Sequence, residues 1–481
     1  MLINILTWFT CVTSTIAAAA GGSLAPAVQI NPGLSWPVRN GRVQHLQAHG
    51  AGFFYDDGTY YMIGENKTTG ALFQSVSCYR SKDLVHWDWV NDLLTADATI
   101  PDLGPDRIIE RPKVIYNKAT GKYVLWMHVD SSNYSYARAG VAWSDSLCGT
   151  YTYVGSYRPL GTYISRDMTA WVDDDETGYL LGEDRPTGLV IYKLSEDYLS
   201  IDSLVYNTME HIESPAIFKA DGVYYLLGSQ LTGWAPNDNY YATAESLEGP
   251  WSELQLFVPS GSKTYSSQTT FVLKVGDRYL YCGDRWDPEN LGGLQASTYI
   301  WLPLELDTAA RMINVSWYDS WTLNPISGAW AANLASPSVY DANSSSNTLS
   351  NGANLTEDDY FRAFDGPGVM NIGGPDGGSL TFHNITITGD FPQMLKIRYQ
   401  NLESYVQYAS VSLRRQRGSD HSSQEAYAAF LPTLSTRGKT VHTVASVPGL
   451  ELTPGVFDLT IKGLPGYMQN TTAAIHSIQL N

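Results

Sequence analysis

The chain has 481 residues, room for two or three domains at about 100–200 residues each. Hydrophobic residues make up 43% and charged ones 16%, which excludes a disordered chain. A net charge of −18, from 48 acidic and 30 basic residues, argues against nucleic acid or an anionic membrane as partner, because both need a basic face.

Met1 to about Ala20 is apolar and Thr-rich and ends in Ala17-Ala18-Ala19-Ala20-Gly21-Gly22. It is too short to span a bilayer and ends in small residues, as a cleaved secretory signal does, although no Lys or Arg stands near its start. The expectation is a signal peptide over 1–20 and a secreted, extracellular chain; the alternative is an apolar N-terminal strand. Cleavage would leave Cys78, Cys148 and Cys282, which allow one internal disulfide and a leftover thiol without fixing the pair. No other run of 18 apolar residues follows, so the mature chain is expected to be soluble. Sequons at Asn66, Asn133, Asn314, Asn343, Asn354, Asn384 and Asn470 suit a secreted glycoprotein. The 32 Tyr and 14 Trp suit flat amphipathic ligands, sugars among them, and also β-sheet cores.

From about residue 35 to 330 one form recurs five times: a polar residue, an apolar strand, a tight turn with Gly, then an aromatic-rich strand. The segments are His49-Gly-Ala-Gly-Phe-Phe-Tyr-Asp-Asp-Gly58, Glu110-Arg-Pro-Lys-Val-Ile-Tyr to Gly121, Asp167-Met-Thr-Ala-Trp-Val-Asp to Gly178, Glu213-Ser-Pro-Ala-Ile-Phe to Gly222, and Gln268-Thr-Thr-Phe-Val-Leu to Gly276. Turn signals such as Asp-Gly between alternating apolar strands mark hairpins. A second strand pair follows each hairpin, and four strands per repeat is the content of a propeller blade. Helix periodicity is nearly absent. The pattern predicts an all-β chain with a five-bladed β-propeller over 35–330; an array of β-sandwiches is the alternative.

Composition shifts near Ala329, and a Ser/Asn-rich stretch begins at Pro337. Beyond it come short alternating strands, among them Ser379-Leu-Thr-Phe-His-Asn-Ile-Thr-Ile and Val456-Phe-Asp-Leu-Thr-Ile. They predict a separate, jelly-roll-like β-sandwich over 335–481.

The innermost strand of each blade lines a propeller's channel, and ligands bind at one mouth. His49, Glu110, Asp167, Glu213 and Gln268 each lie one strand length before their turn, so all five are expected to converge at one end. Strand starts are polar by default, but three carboxylates at equivalent positions of a ring point to chemistry. Crowded like charges raise at least one pKa, which keeps a carboxyl protonated as a general acid. Glycoside hydrolysis needs such a group beside the bond it breaks.

On these motifs the chain resembles glycoside hydrolase family 43. The segment from Glu213 is similar to the family's Glu-Gly-Pro segment, which implies Glu213 as general acid. The segment from Asp167 resembles the one whose Asp holds and tunes that acid. The family's blade-one Asp-Pro pair is replaced by Gln47-Ala-His49-Gly-Ala-Gly, with no carboxylate. That departure, with Glu110-Arg111-Pro and Ser266-Ser-Gln268-Thr-Thr-Phe, resembles the exo-β-1,3-galactanase branch. The resemblance implies that Glu110 supports the reacting sugar, that Gln268 serves as an unusual base, and that Glu65 and Tyr134 contact sugar. Arg111 either pairs with channel carboxylates for substrate or forms a structural salt bridge. His49 is the alternative base on intrinsic pKa. The C-terminal region resembles a family 35 carbohydrate-binding module, which implies a sugar contact at Asn401, with a loop-capping role as the alternative. Asp341-Ala-Asn343 keeps only one carboxylate of that family's calcium-binding opening, so a structural calcium stays open there, while catalysis is expected to need no cofactor.

The expectation is a secreted, monomeric, inverting exo-β-1,3-galactanase acting on β-1,3-galactan of arabinogalactans. Its C-terminal module would bind polymer and raise activity on polymer more than on a trisaccharide. The alternatives are an arabinofuranosidase or β-xylosidase of the same family, or a catalytically inactive carbohydrate-binding propeller.

Overall fold

A computed structural model describes residues 27–481 except 39, 41, 43, 358–363, 365, 374–376, 389–392, 417–422 and 465–472. The expected signal peptide and the sequon at Asn470 lie outside the described residues.

Val28–Ile30 is the first described strand and pairs with Trp321–Leu323, which pairs in turn with Trp330–Ala332. Between them lie five four-stranded antiparallel sheets in strict chain order. The first comprises His49–Asp56, Thr59–Glu65, Ser75–Ser81 and Asp88–Thr95, and the second Arg107–Asn117, Lys122–Ser131, Arg138–Ser144 and Thr152–Tyr157. The third comprises Met168–Val172, Gly178–Asp184, Gly188–Leu194 and Ile201–Asn207. The fourth is Ile212–Ala220, Val223–Gln230, Tyr240–Ala244 and Gln255–Leu256, and the fifth Gln268–Val275, Arg278–Arg285, Thr298–Asp307 and Met312–Val315. The first strand of each sheet touches that of the next, and the fifth touches the first, so the inner strands close into a ring. The single α-helical turn among the described residues is Lys263–Ser266.

The hairpin chemistry explains the sheets locally. Asp57-Gly58 and Asp221-Gly222 both have positive φ at their two residues, the geometry that matches the twist of paired strands. The third sheet departs from the expected turn. There the left-handed residue is Glu176, and Gly178 already belongs to the strand. Its glycine serves packing, since a Cβ would stand 2.8 Å from the Tyr198 ring. Cys78 and Cys148 form the disulfide, tying the first sheet to the second, and Cys282 is a buried free thiol.

Beyond residue 337 two antiparallel sheets enclose a second core, including Leu395, Ile397, Val411, Leu413, Leu459 and Ile461. Burial alternates along Gln407–Arg415, as one inward face requires.

Candidate active site

In four of the five sheets the inner strand opens at a bulge; the third sheet pairs without one. The register between first and second strands shifts after His49, Glu110 and Glu213, and after Thr269 in the fifth sheet. A bulge leaves one residue unpaired and redirects its neighbour. Gly50, Arg111 and Ser214 take left-handed φ of 57°, 54° and 57° at these points. For Arg111 and Ser214 that conformation costs roughly 1–3 kcal/mol, so the surroundings must hold it. Glu65 does so at Arg111, accepting its backbone N–H at 2.8 Å, and Asp284 accepts that of Gly50 at 2.9 Å. A side chain at Gly50 would displace Glu65, because its Cβ would lie 2.2 Å from Oε1.

The bulged ends surround a cavity of about 250 Å³. Glu65, Glu110, Arg111, Tyr134, Asp167, Glu213 and Gln268 all line it. Two sequence candidates do not. His49 is 0% exposed, stacks on Tyr299 at 4.9 Å, and directs Nδ1 to Asp284 at 3.2 Å. Trp286 lies against its ring at 5.2 Å and itself lines the cavity. As a candidate base His49 is therefore corrected: it has no place on the cavity wall. Asn401 is corrected as well. It is 0% exposed, its amide donates to the Tyr405 and Phe430 carbonyls, and its Oδ1 accepts from Glu403 and Gln407. With its polar atoms so engaged it caps a loop and offers nothing to a sugar.

The cavity's acids divide into two electrostatic classes. Burial alone would raise the pKa of Glu110, but Lys67, His128 and Tyr134 outweigh it and hold it down at about 2. Tyr134 donates to Glu110 at 2.9 Å, and Lys67 lies 3.6 Å away while pairing with Glu65 at 2.7 Å. Asp167 pairs with Arg111 at 3.1 Å and accepts from the Ser214 hydroxyl at 2.9 Å. Glu213 is the opposite case. Burial and the charges of Asp167 and Glu183 push its pKa up to about 9, so it carries a proton at neutral pH. Among the described residues its ion pair is with Arg185 at 3.4 Å, and that guanidinium is shared with Glu183. Burial and Asp167 push Glu183 itself up to about 7.

Gln268 joins the two classes. Its Nε2 donates to Glu213 at 3.1 Å and to Ser229 at 3.0 Å. Its Oε1 accepts from Trp286 at 2.8 Å and from Arg111. Arg111 also donates to Thr269 and Thr270. It is a buried hub that orients Asp167 and Gln268 across three sheets, which is the structural side of the sequence alternative.

Glu110, His128 and Asp167 could in principle ligate a metal ion, since one ligand atom of each lies within 4.8 Å of the others. The donor set does not fit one. Burial disfavours charge on His128, yet the hydrogen bond to Asp130 at 2.8 Å and the Glu110 carboxylate 3.4 Å away raise its pKa to about 9, leaving both nitrogens protonated. Lys67 and Arg111 already neutralise the carboxylates. In the C-terminal sandwich Asp341 is exposed, and among the described residues no cluster of three such ligands forms around it.

Sequence reasoning missed Glu183, Arg185, His128, Trp234 and Trp286 on the cavity wall. A signal for some was present. Glu65, His128, Ser229 and Asp284 pair in register with His49, Glu110, Glu213 and Gln268, and Glu183 bonds back to Asp167. Four of these five follow a glycine: Gly64-Glu65, Gly182-Glu183, Gly228-Ser229 and Gly283-Asp284. Comparing second-strand ends across the repeat would have found them.

The model of glycosyl hydrolases family 43 matches residues 49–233. The crystal structure of an exo-β-1,3-galactanase from Phanerochaete chrysosporium with galactose is 34% identical, with 94% of this chain and 100% of that chain covered and a TM-score of 0.62. Variants of that enzyme have been solved with β-1,3-galactotriose. An exo-β-1,3-galactanase from Clostridium thermocellum is 26% identical over 93% of this chain and 99% of its own, with a TM-score of 0.59. No curated protein matches.

Proposed function

The chain belongs to glycosyl hydrolase family 43, and on that premise we propose that it is an exo-β-1,3-galactanase that releases galactose from the ends of β-1,3-galactan. The observation that carries the reading is a buried Glu213 in direct contact with Gln268, in a cavity whose other carboxylates are charge-paired. At about 250 Å³ the cavity is smaller than the roughly 300–1,000 Å³ of pockets that bury drug-sized ligands, which suits one terminal sugar.

Glu213 protonates the leaving oxygen as general acid, and the Asp167 and Glu183 charges keep the proton in place until substrate arrives. Ionised Glu110, with Tyr134, accepts hydroxyls of the reacting sugar. Gln268 holds the attacking water. Arg111 and Trp286 both donate to Oε1, which disfavours a proton on that oxygen. Gln268 therefore works as an amide that orients water, rather than as an imidic acid. As Glu213 turns to the glycosidic oxygen, the Gln268 Nε2–H is released to the water. The water oxygen bonds the anomeric carbon as the glycosidic bond breaks, the leaving oxygen takes the Glu213 proton, and the attacking water gives its own proton to bulk solvent. The anomeric centre inverts, since no side chain is asked to form a covalent intermediate. Acid, amide and charges are all side chains, so these steps call for no cofactor.

The ring of five sheets is read as a five-bladed propeller over 35–330, supported by contact between its first and fifth inner strands. The sandwich over 335–481 is read as a module that keeps galactan polymer near the cavity by effective concentration. A secreted, monomeric enzyme fits the sequence reading. Product analysis on linear β-1,3-galactan with anomer detection tests the activity. Galactose alone, first formed as the α-anomer, is expected. Early oligosaccharides would overturn the exo mode, and β-galactose would overturn inversion.

A further inference from the structure

Trp286, which donates to the Gln268 amide, stands at the start of a loop held by the C-terminal sandwich. The neighbouring Asp287 accepts from His442 at 2.8 Å. Asn290 is buried, donates to the Pro432 carbonyl at 2.9 Å and bridges Ser435, while Leu291 donates to the Leu434 carbonyl at 3.0 Å. Glu289 pairs with Arg437 at 2.6 Å. The approach is close enough that a Cβ on Gly292 would sit 2.9 Å from Pro432. At the loop's far end Ala296 packs with Val406, Ala429 and Leu431 of the sandwich. This loop is thus fixed from outside the ring of sheets, and its first residue supplies one of the two donors on Gln268 Oε1.

We propose that the segment 432–442 of the sandwich positions Trp286, and through it the Gln268 amide, making His442 a positioning residue for hydrolysis of even the shortest substrate. The physical reason is geometric. The amide's plane is set by its four partners, and slackening the Trp286 donor lets it rotate away from the line of attack, where small displacements are costly. The sandwich then contributes in a way distinct from tethering, which acts only on substrates long enough to engage two sites.

The inference rests on the galactanase reading, and the test separates the two. Turnover of β-1,3-galactobiose is measured in the full-length chain. His442→Ala is expected to lower kcat about tenfold with KM nearly unchanged. His442→Gln, which keeps a side-chain donor toward Asp287, should recover most of it. On a Trp286→Phe background His442→Ala should cost nothing further, because the donor it positions is gone. Arg414→Ala, on an exposed part of the sandwich, should leave kcat unchanged. If His442→Ala does not fold, Asp287→Ala removes the same contact from the other side and should show the same loss and the same dependence on Trp286. Unchanged kcat, or an equal loss on both backgrounds, overturns the inference while the enzyme remains a galactanase. A wild-type chain that releases no galactose overturns both.

Discussion

The cavity and the Asn401 corner of the sandwich are both buried polar clusters, and they differ in how completely burial is compensated. Asn401 donates to two carbonyls and accepts from Glu403 and Gln407. Its cluster stabilises a loop and has nothing left to give a ligand. Glu213 is nearly as buried, at 7% exposure, yet its cationic contact is long and shared and two carboxylates face it. The result is a proton held far above its ordinary pKa. Buried polarity left under-compensated is where chemistry is available, and buried polarity fully satisfied is architecture.

The sharpest way to break this contrast is Glu213→Gln. Turnover on galactan should fall by a factor of ~10²–10⁴, and by less on substrates with good leaving groups, which need little protonation. Equal losses for both would assign Glu213 another role. The same variant carries a stability signature. The folded state keeps a proton up to about 9 that the unfolded chain releases near the ordinary carboxyl value. The wild type therefore loses stability as pH rises between those two values, and Glu213→Gln should gain on it across that window in urea titrations.

Gln268→Ala should lower kcat by about 10², the scale for losing an orienting polar group, with galactose binding retained. Added azide, which needs no orienting amide, should recover part of the rate. Near-normal turnover would remove Gln268 from the mechanism.

Glu183→Gln sharpens the electrostatic half of the contrast. It deletes a negative charge that raises the Glu213 pKa and frees Arg185 to lower it further. The alkaline limb of kcat/KM should move down by about one pH unit, with little change at acid pH. An unmoved limb would leave burial and Asp167 as sufficient causes.

The smallest effect on activity is expected at Asn401. Asn401→Ala should leave galactan binding and turnover unchanged while lowering stability by about 1–3 kcal/mol, because it strands buried carbonyls and an amide. Weaker galactan binding in a folded Asn401→Ala chain would return it to the sugar site.

Much of this organisation was legible in the sequence because it rests on local chemistry. Asp57-Gly58 and Asp221-Gly222 specify hairpins whatever surrounds them, and apolar alternation specifies which face each strand buries. The repeat likewise marked His49, Glu110, Asp167, Glu213 and Gln268 as equivalent positions. Tertiary structure alone decided which of the five reach the cavity. His49 is withdrawn behind Trp286, and the Cys78–Cys148 pairing and the Glu183–Arg185 pair emerge only once the sheets are assembled. The Glu213 proton depends on burial and on charges 46 and 30 residues away in the chain, at Asp167 and Glu183. Strand pattern is set by neighbours along the chain, whereas pKa and side-chain aim are set by neighbours in space, and ring closure brings residues as distant as Gly50 and Asp284 into hydrogen-bonding contact.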